Sequence, residues 1–379
     1  MLAIGLMSGT SLDGIDAVLC EVTGFGENTK IRQISFCTCE IPLNIKEKIR
    51  RCCANEKITT DLICSLNFEL GEQFALAALS VCHKAGINSK DVAFIASHGQ
   101  TIYHIPHAYG DCVPSTLQIG ESAIIAQRCQ CPVISNFRVK DMAVGGEGAP
   151  LVPYSEFILY RKEDEAVALQ NIGGIGNVTV LPDGCTIDNV YAFDTGPGNM
   201  IIDEAMRKLY RKSYDENGLI ASKGRIIENL KDELMKHSYL NLKPPKTTGR
   251  EMFGEPFTDE LLKRYQGENK EDIIATLTWF TAYSIAESYR KFVLPNHQLS
   301  EVILGGGGAH NATLKKMIEN ELPNIKILTQ EDKGYSSDAK EAIAFVILGN
   351  ETMHQHFSNV PNATGAKQKV ILGNITYPN

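Results

Sequence analysis

The sequence contains no C-x-x-C pair, although it carries 11 cysteines. That gap removes the usual ligand spacing of a zinc site. With an odd cysteine count in a long chain, it also removes a disulfide scaffold. Scattered thiols fit a reducing compartment, so a cytoplasmic location is expected. No basic segment precedes the short apolar run at the N-terminus, so no signal peptide is expected. No apolar stretch reads as long enough to span a membrane, and no membrane partner is expected. A cationic excess is lacking too. The formal net charge is −8, so no nucleic-acid partner is expected. An acidic balance leaves anionic ligands open, because glycine-rich backbone can bind phosphate without lysine. No Gly-Lys-Ser or Gly-Lys-Thr tripeptide occurs, which excludes a P-loop. Gly174-Ile175-Gly176 lacks the third glycine and the strand-to-helix setting of a dinucleotide fingerprint.

What is present is glycine at the tips of apolar runs. The 379 residues suffice for about two domains. Residues 2–7 and 15–22 read as a strand pair around a long polar tip, Ser8 to Gly14, and 30–41 as a third strand. Residues 45–85 read as mostly helical and break at Gly86. Strands at 92–97 and 133–135 bracket a helix near 122–128. The stretch Gly145-Gly146-Glu147-Gly148-Ala149-Pro150 reads as a hinge. The opening plan then returns: strands at 166–170 and 178–181 flank the tip Asn171 to Asn177, and a strand at 190–193 runs into Asp194-Thr195-Gly196-Pro197-Gly198-Asn199. A helix starts near Met200, and a polar, mostly helical insertion covers 212–266. An amphipathic helix spans 271–294, with Ile273, Leu277, Phe280, Ile285, Tyr289 and Phe292 near one face. A strand at 302–304 leads into Gly305–Gly308, and a last helix covers 339–348. Alternating strands and helices argue for α/β layers. The repeated plan argues for a duplicated domain, with two phosphate hairpins facing a nucleotide cleft.

Each motif also has a plainer reading. Gly9 to Asp16 is either a turn with Asx and Ser/Thr bonds or a phosphate loop. Gly305–Gly308 is either a loose connection or a place where backbone approaches adenine or ribose closely, with a helix dipole from near Asn311 aimed at phosphate. Asp194 is either a cap or turn residue or a magnesium contact through water. Asp141 is either a solvated carboxylate paired with Arg138 or Lys140, or a base. His98, His104 and His107 fit no common zinc spacing, and His98 reads as lining a polar pocket. Lys243 to Arg250 is either a lid or a basic loop.

Taken in order, these stretches resemble one family. Gly5-Leu6-Met7-Ser8-Gly9-Thr10-Ser11-Leu12-Asp13-Gly14 resembles the opening signature of the anhydro-N-acetylmuramic acid kinases. Residues 98–101, 117–120, 137–153, 171–175, 193–199, 244–251 and the glycine run with Asn311 match the same family. The resemblance implies a two-domain actin- and hexokinase-like fold, a duplicated ribonuclease H-like core with an ATP cleft. The domains would be 1–136, with 352–379 packing back onto it, and 137–351. The implied activity opens 1,6-anhydro-N-acetylmuramic acid with water and phosphorylates O6 from ATP, giving N-acetylmuramic acid 6-phosphate in cell-wall recycling. By resemblance, Asp141 is the general base. Gly9, Thr10, Ser11, Leu12, Asp13, Gly14, Ile15 and Asp16 would hold phosphates, as would Asn171, Gly173, Gly174, Gly196 and Gly198. Gly306, Gly307 and Asn311 would flank adenosine. Gln100, Thr101, Gln118, Arg138 and Glu341 would bind the sugar, with Arg138 suited to its lactyl carboxylate. Magnesium would contact Asp194 through water, and the resemblance implies a homodimer. Asn136 departs from an aspartate of many relatives, and an amide cannot act as a base. The rival reading is a non-catalytic ATP- or sugar-binding regulator of the same superfamily.

Overall fold

The computed structural model describes residues 1–9, 12–54 and 58–379. These form two units, Met1–Leu159 with Asp338–Asn379, and Tyr160–Ser337. In the first unit, β1 (Leu2–Ser8), β2 (Ile15–Thr23) and β3 (Lys30–Cys39) form an antiparallel meander. α1 (Leu43–Cys53) and α2 (Thr60–Ala85) follow. β4 (Phe94–Ile105) pairs parallel to β1 and antiparallel to β5 (Ser115–Ile119). α3 (Ser122–Cys129) leads to β6 (Val133–Ser135), parallel to β4. α4 (Val139–Ala143) and α5 (Val152–Tyr160) end this stretch.

The second unit repeats the order. β7 (Ala166–Ile172), β8 (Ile175–Leu181) and β9 (Tyr191–Pro197) form an antiparallel meander. α6 (Met200–Tyr210), α7 (Glu228–Leu234), α8 (Arg250–Phe253), α9 (Glu255–Arg264) and α10 (Lys270–Phe292) come next. β10 (Leu299–Gly305) pairs parallel to β7. α11 (Ala312–Glu321) then leads to β11 (Lys326–Thr329), parallel to β10. The chain returns to the first unit with α12 (Lys340–Met353), α13 (Pro361–Thr364) and β12 (Asn374–Thr376), which pairs with β6. The core strand orders are β3-β2-β1-β4-β6 and β9-β8-β7-β10-β11. Both have an antiparallel meander followed by two strands parallel to the first. This is the duplicated ribonuclease H-like arrangement.

The unit boundaries fall at 159/160 and 337/338, where the sequence suggested 136/137 and 351/352. The reason is packing. Gly5 of β1 lies against Ala342, and Gly349 against Phe94 and Ala96, so α12 is the helical layer of the first sheet. The glycine stretch 145–150 is likewise not at a boundary. It is bonded to α4 and to the 364–367 segment. The insertion 212–266 holds short helices and 3-10 turns rather than long helices.

By length and composition α2 is long and apolar enough to cross a membrane, contrary to the expectation above. Its Leu66, Leu70, Phe74, Ala78 and Val81 share a buried cluster with Ile4, Leu6 and Leu19, as a core helix does. α10 uses its apolar face twice. Ile273, Leu277 and Phe280 pack with the insertion, while Ile285 and Tyr289 pack on the second sheet.

A Cβ on Gly5 would lie 1.9 Å from the Ala342 carbonyl oxygen, a backbone atom that cannot rotate away. Gly5→Ala is therefore expected to destabilise by about 3 kcal/mol. Differential scanning calorimetry should show a fall in the unfolding midpoint of roughly 4 °C.

Candidate active site

The β1–β2 tip begins where Ser8 Oγ donates to Gln100 Oε1 at 2.7 Å. Gly9 accepts from the Leu12 amide, and Leu12 takes a left-handed φ of 59°. Thr10 and Ser11 lie outside the described residues. The Leu12 and Ile15 side chains belong to the core, so only their backbone could serve a phosphate. Gly14 is required by packing, since a Cβ there would meet Cys39 O at 2.8 Å. Asp16 Oδ1 accepts from Thr38 Oγ1 at 2.6 Å. Burial raises Asp16 above the ordinary aspartate range; Thr38 opposes this, and Asp338 and the exposed Asp13 raise it further. Glu341 is raised mainly by desolvation, with Asp16 adding repulsion and Lys340 and Arg138 opposing.

Of the expected sugar residues, Gln100, Thr101 and Gln118 divide between two hollows of the first unit, and Arg138 and Glu341 line neither. Gln100 and Thr101 line one of about 470 Å³ with Leu12, Cys53 and Tyr103. Gln118 and His98 line another of about 330 Å³. Gln118 Nε2 donates to Thr116 Oγ1 at 2.7 Å and to Thr101 Oγ1 at 3.3 Å. His98 is buried, and burial, then Arg138, push it down to about 3. It is therefore neutral near pH 7. Its Nδ1 faces Gly99 O at 2.9 Å, which assigns the proton there. Nε2 then accepts from Arg138 Nε at 3.1 Å and Nη2 at 2.9 Å, while Arg138 Nη1 donates to Gly148 O at 2.7 Å. His98 thus orients the arginine. Asn136 sits at φ 58°, a conformation that asparagine tolerates better than most residues.

Asp141, the base implied by resemblance, is fully buried. Oδ1 accepts from Asn359 Nδ2 at 2.9 Å and Thr364 Oγ1 at 2.8 Å, and Oδ2 accepts from the Gly148 amide at 2.9 Å. A Cβ on Gly146 would lie 2.2 Å from Oδ2. The glycine-rich 145–148 stretch is wrapped around this carboxylate. It closes on α4 and the C-terminal segment, and no face of Asp141 is left for water. This geometry is that of an internal latch, and it argues against a base at this position. Nothing in the sequence pointed to Asn359 or Thr364.

In the second unit, the β7–β8 tip is bonded to the start of α6. Gly173 O accepts from Asn199 N, and Gly174 O accepts from the Gly198 and Met200 amides. The Gly198 amide is therefore already committed. Gly196 has φ 135°, and a Cβ on it would meet Ser284 Oγ at 2.9 Å. Gly306 and Gly308 are glycine because Cβ atoms there would strike Asn171 and Ile172. Gly307 is exposed, and a Cβ there would meet only Asn199 Nδ2 at an ordinary 3.9 Å, so packing does not explain its glycine. Asn311 Oδ1 caps α11 through the Leu314 amide at 2.9 Å.

Asp194 sits in β9, half-buried, beside a register shift. Its Oδ2 accepts from the Thr248 amide at 2.9 Å. Among the described residues no hydrogen bond occupies Oδ1. Burial raises its titration; the Thr248 bond and Lys246 oppose this, and Glu251 adds repulsion. A desolvated carboxylate with one oxygen engaged and one available has the character of a general base. Among the described residues no three His, Cys, Asp or Glu side chains gather as a metal cage.

A doubled ribonuclease H-like core with a glycine tip in each half is the two-domain, actin- and hexokinase-like fold. The profile of the anhydro-N-acetylmuramic acid kinase family matches residues 1–378, and the chain belongs to that family. It is 58% identical over 376 residues to the anhydro-N-acetylmuramic acid kinase of Clostridioides difficile (strain 630), covering 99% of this chain and 98% of that protein. It is 55% identical over 380 residues to that of Bacillus cereus (strain AH820), covering 100% of each. Among solved structures, component A of (R)-2-hydroxyglutaryl-CoA dehydratase from Acidaminococcus fermentans aligns at a TM-score of 0.45 and 15% identity, covering 92% of this chain and 99% of its own.

Proposed function

We propose that this kinase converts 1,6-anhydro-N-acetylmuramic acid, ATP and water into N-acetylmuramic acid 6-phosphate and ADP. The observation that carries the reading is the family match over residues 1–378. The bridged sugar has one bond to break, C1–O6. Water adds to C1 as a carboxylate takes its proton, the C1–O6 bond opens, and O6 receives the γ-phosphoryl group. We assign the base to Asp194 Oδ1 rather than Asp141, because Asp194 is the partly exposed one and keeps an oxygen for water. Gln100, Thr101, Arg138 and Glu341 are proposed for the sugar. Arg138, already oriented by His98, is proposed for the lactyl carboxylate.

Gly9, Asp13, Gly173, Gly174 and Gly307 are proposed for the nucleotide. Magnesium is proposed at Asp16 instead of Asp194, since Asp16 stands next to the β1–β2 tip with Oδ1 bonded to Thr38 and, among the described residues, no hydrogen bond to Oδ2. That fits an ion held by one or two carboxylates and substrate phosphates, and it would neutralise phosphate charge during transfer. The test is mass spectrometry of product made in heavy-oxygen water and read before anomeric exchange. Label is expected at C1 and not in the phosphate. Label in the phosphate would overturn water attack at C1. Folded protein that makes no 6-phosphate would favour a sugar- or ATP-binding regulator.

A further inference from the structure

The strap Lys243 to Gly249 is neither a free lid nor a loose basic loop. β9 is an edge strand, and the strap is bonded to its open side at Asp194. Three polar groups of Asp194 are held from this side. Its amide donates to Lys246 O at 3.1 Å. Its carbonyl accepts from Tyr239 OH at 2.7 Å. Its Oδ2 accepts from the Thr248 amide. The Thr248 hydroxyl is buried without a hydrogen-bond partner among the described residues, so Thr248 serves Asp194 through its backbone.

Lys246 anchors this strap in an unusual way. It is only 5% exposed, and among the described residues no carboxylate lies within ion-pair distance. Its Nζ stands 4.5 Å from the Tyr239 ring centroid, 5.0 Å from Phe292 and 5.9 Å from Phe193. Ser288 Oγ is 3.5 Å away and itself donates to Thr195 O. A desolvated ammonium among aromatic faces is held by their quadrupoles, and each member of the cage also touches β9, α10 or the 238–241 turn. The cation therefore ties these three elements to the strap. The charged and titratable groups around it are Asp194 on β9, Tyr239 on the turn and Lys291 on α10, while Glu251 on α8 acts on Asp194.

We propose that Lys246, caged by Phe193, Tyr239 and Phe292, is the positioning residue that locks the 243–249 strap onto β9 and so aims the Asp194 carboxylate. The proposal rests on Asp194 being the base. The decisive experiment is steady-state kinetics of K246M, K246R, D194N and D194N/K246M on the full chain, with unfolding midpoints measured in parallel. K246M keeps the stem and removes the cation. It is expected to lower kcat roughly 10- to 100-fold, as a misplacement of about 1 Å can, with KM for both substrates within about twofold. K246R should recover part of the loss. In the D194N background the same change should alter residual turnover less than about twofold, because Lys246 acts through Asp194.

K246M within twofold of wild-type kcat, with D194N strongly impaired, would overturn the positioning role and leave the base intact. An equal K246M effect in both backgrounds would mark a general structural role and also overturn it. Normal turnover by D194N would instead overturn the base itself. Should K246M fold poorly, Phe292→Leu removes one aromatic wall of the cage and leaves every hydrogen bond to Asp194 in place. A several-fold loss in kcat at constant KM supports the proposal there, and unchanged kcat overturns it.

Discussion

Replacing Asp194 with asparagine is expected to lower kcat by about a thousandfold, the range that general-base catalysis supplies, while leaving the fold intact. The reason is local. The Oδ2 position accepts one backbone amide, and an asparagine carbonyl oxygen can keep that bond. The amide nitrogen would then occupy the site of Oδ1, where it donates and cannot accept a proton from water. KM for ATP and for the sugar should move little, since binding is assigned to other residues. The wild-type pH profile gives a second reading. The ionised form must be present, and burial, opposed by Thr248 and Lys246 and aided by Glu251, raises its titration. The acidic limb of kcat/KM should therefore lie above the usual aspartate range, with activity falling as pH drops through it. Stopped assays of product formation across pH check both. A D194N enzyme within tenfold of wild-type kcat would remove Asp194 as the base.

Much of this architecture was legible in the chain. The apolar runs read as strands at 2–7, 166–170 and 302–304 fall within β1, β7 and β10, because strands buried on both faces read as near-continuous apolar stretches. The repeated glycine tip showed the duplication. Which carboxylate is enclosed and which is left open was not legible. Asp141 and Asp194 both stand beside glycines, and local spacing does not distinguish a carboxylate the glycines enclose from one they leave open. That difference depends on Asn359 and Thr364 in one case and Thr248 in the other, all more than fifty residues away in sequence. Glycine itself was ambiguous for the same reason. Gly306 and Gly308 answer to Ile172 and Asn171, whereas the exposed Gly307 between them does not. The bounds of the compact units differ from the suggested domains because α12 follows the second unit in sequence yet packs on β1 and β4 of the first.

Asp141→Asn should give the opposite pattern, a large loss of stability with little change in turnover. All three donors to Asp141, the Gly148 amide, Asn359 Nδ2 and Thr364 Oγ1, converge on it in a site closed to solvent. Asparagine keeps one acceptor and turns a donor toward the others. The Thr364 hydroxyl can rotate to accept, but the Gly148 amide cannot. A buried donor left without a partner, together with the loss of charge-assisted bonds, costs about 3 kcal/mol. Because the latch joins α4, the glycine stretch and the 359–364 segment, the unfolding midpoint should drop by roughly 4 °C. Below that midpoint, kcat per folded molecule should stay within about fivefold of wild type, since no water reaches this carboxylate. Calorimetry paired with active-site-normalised kinetics separates the cases. An Asp141→Asn protein that melts like wild type but turns over a thousandfold more slowly would return the base to Asp141 and make its three hydrogen bonds a closed state that opens for catalysis.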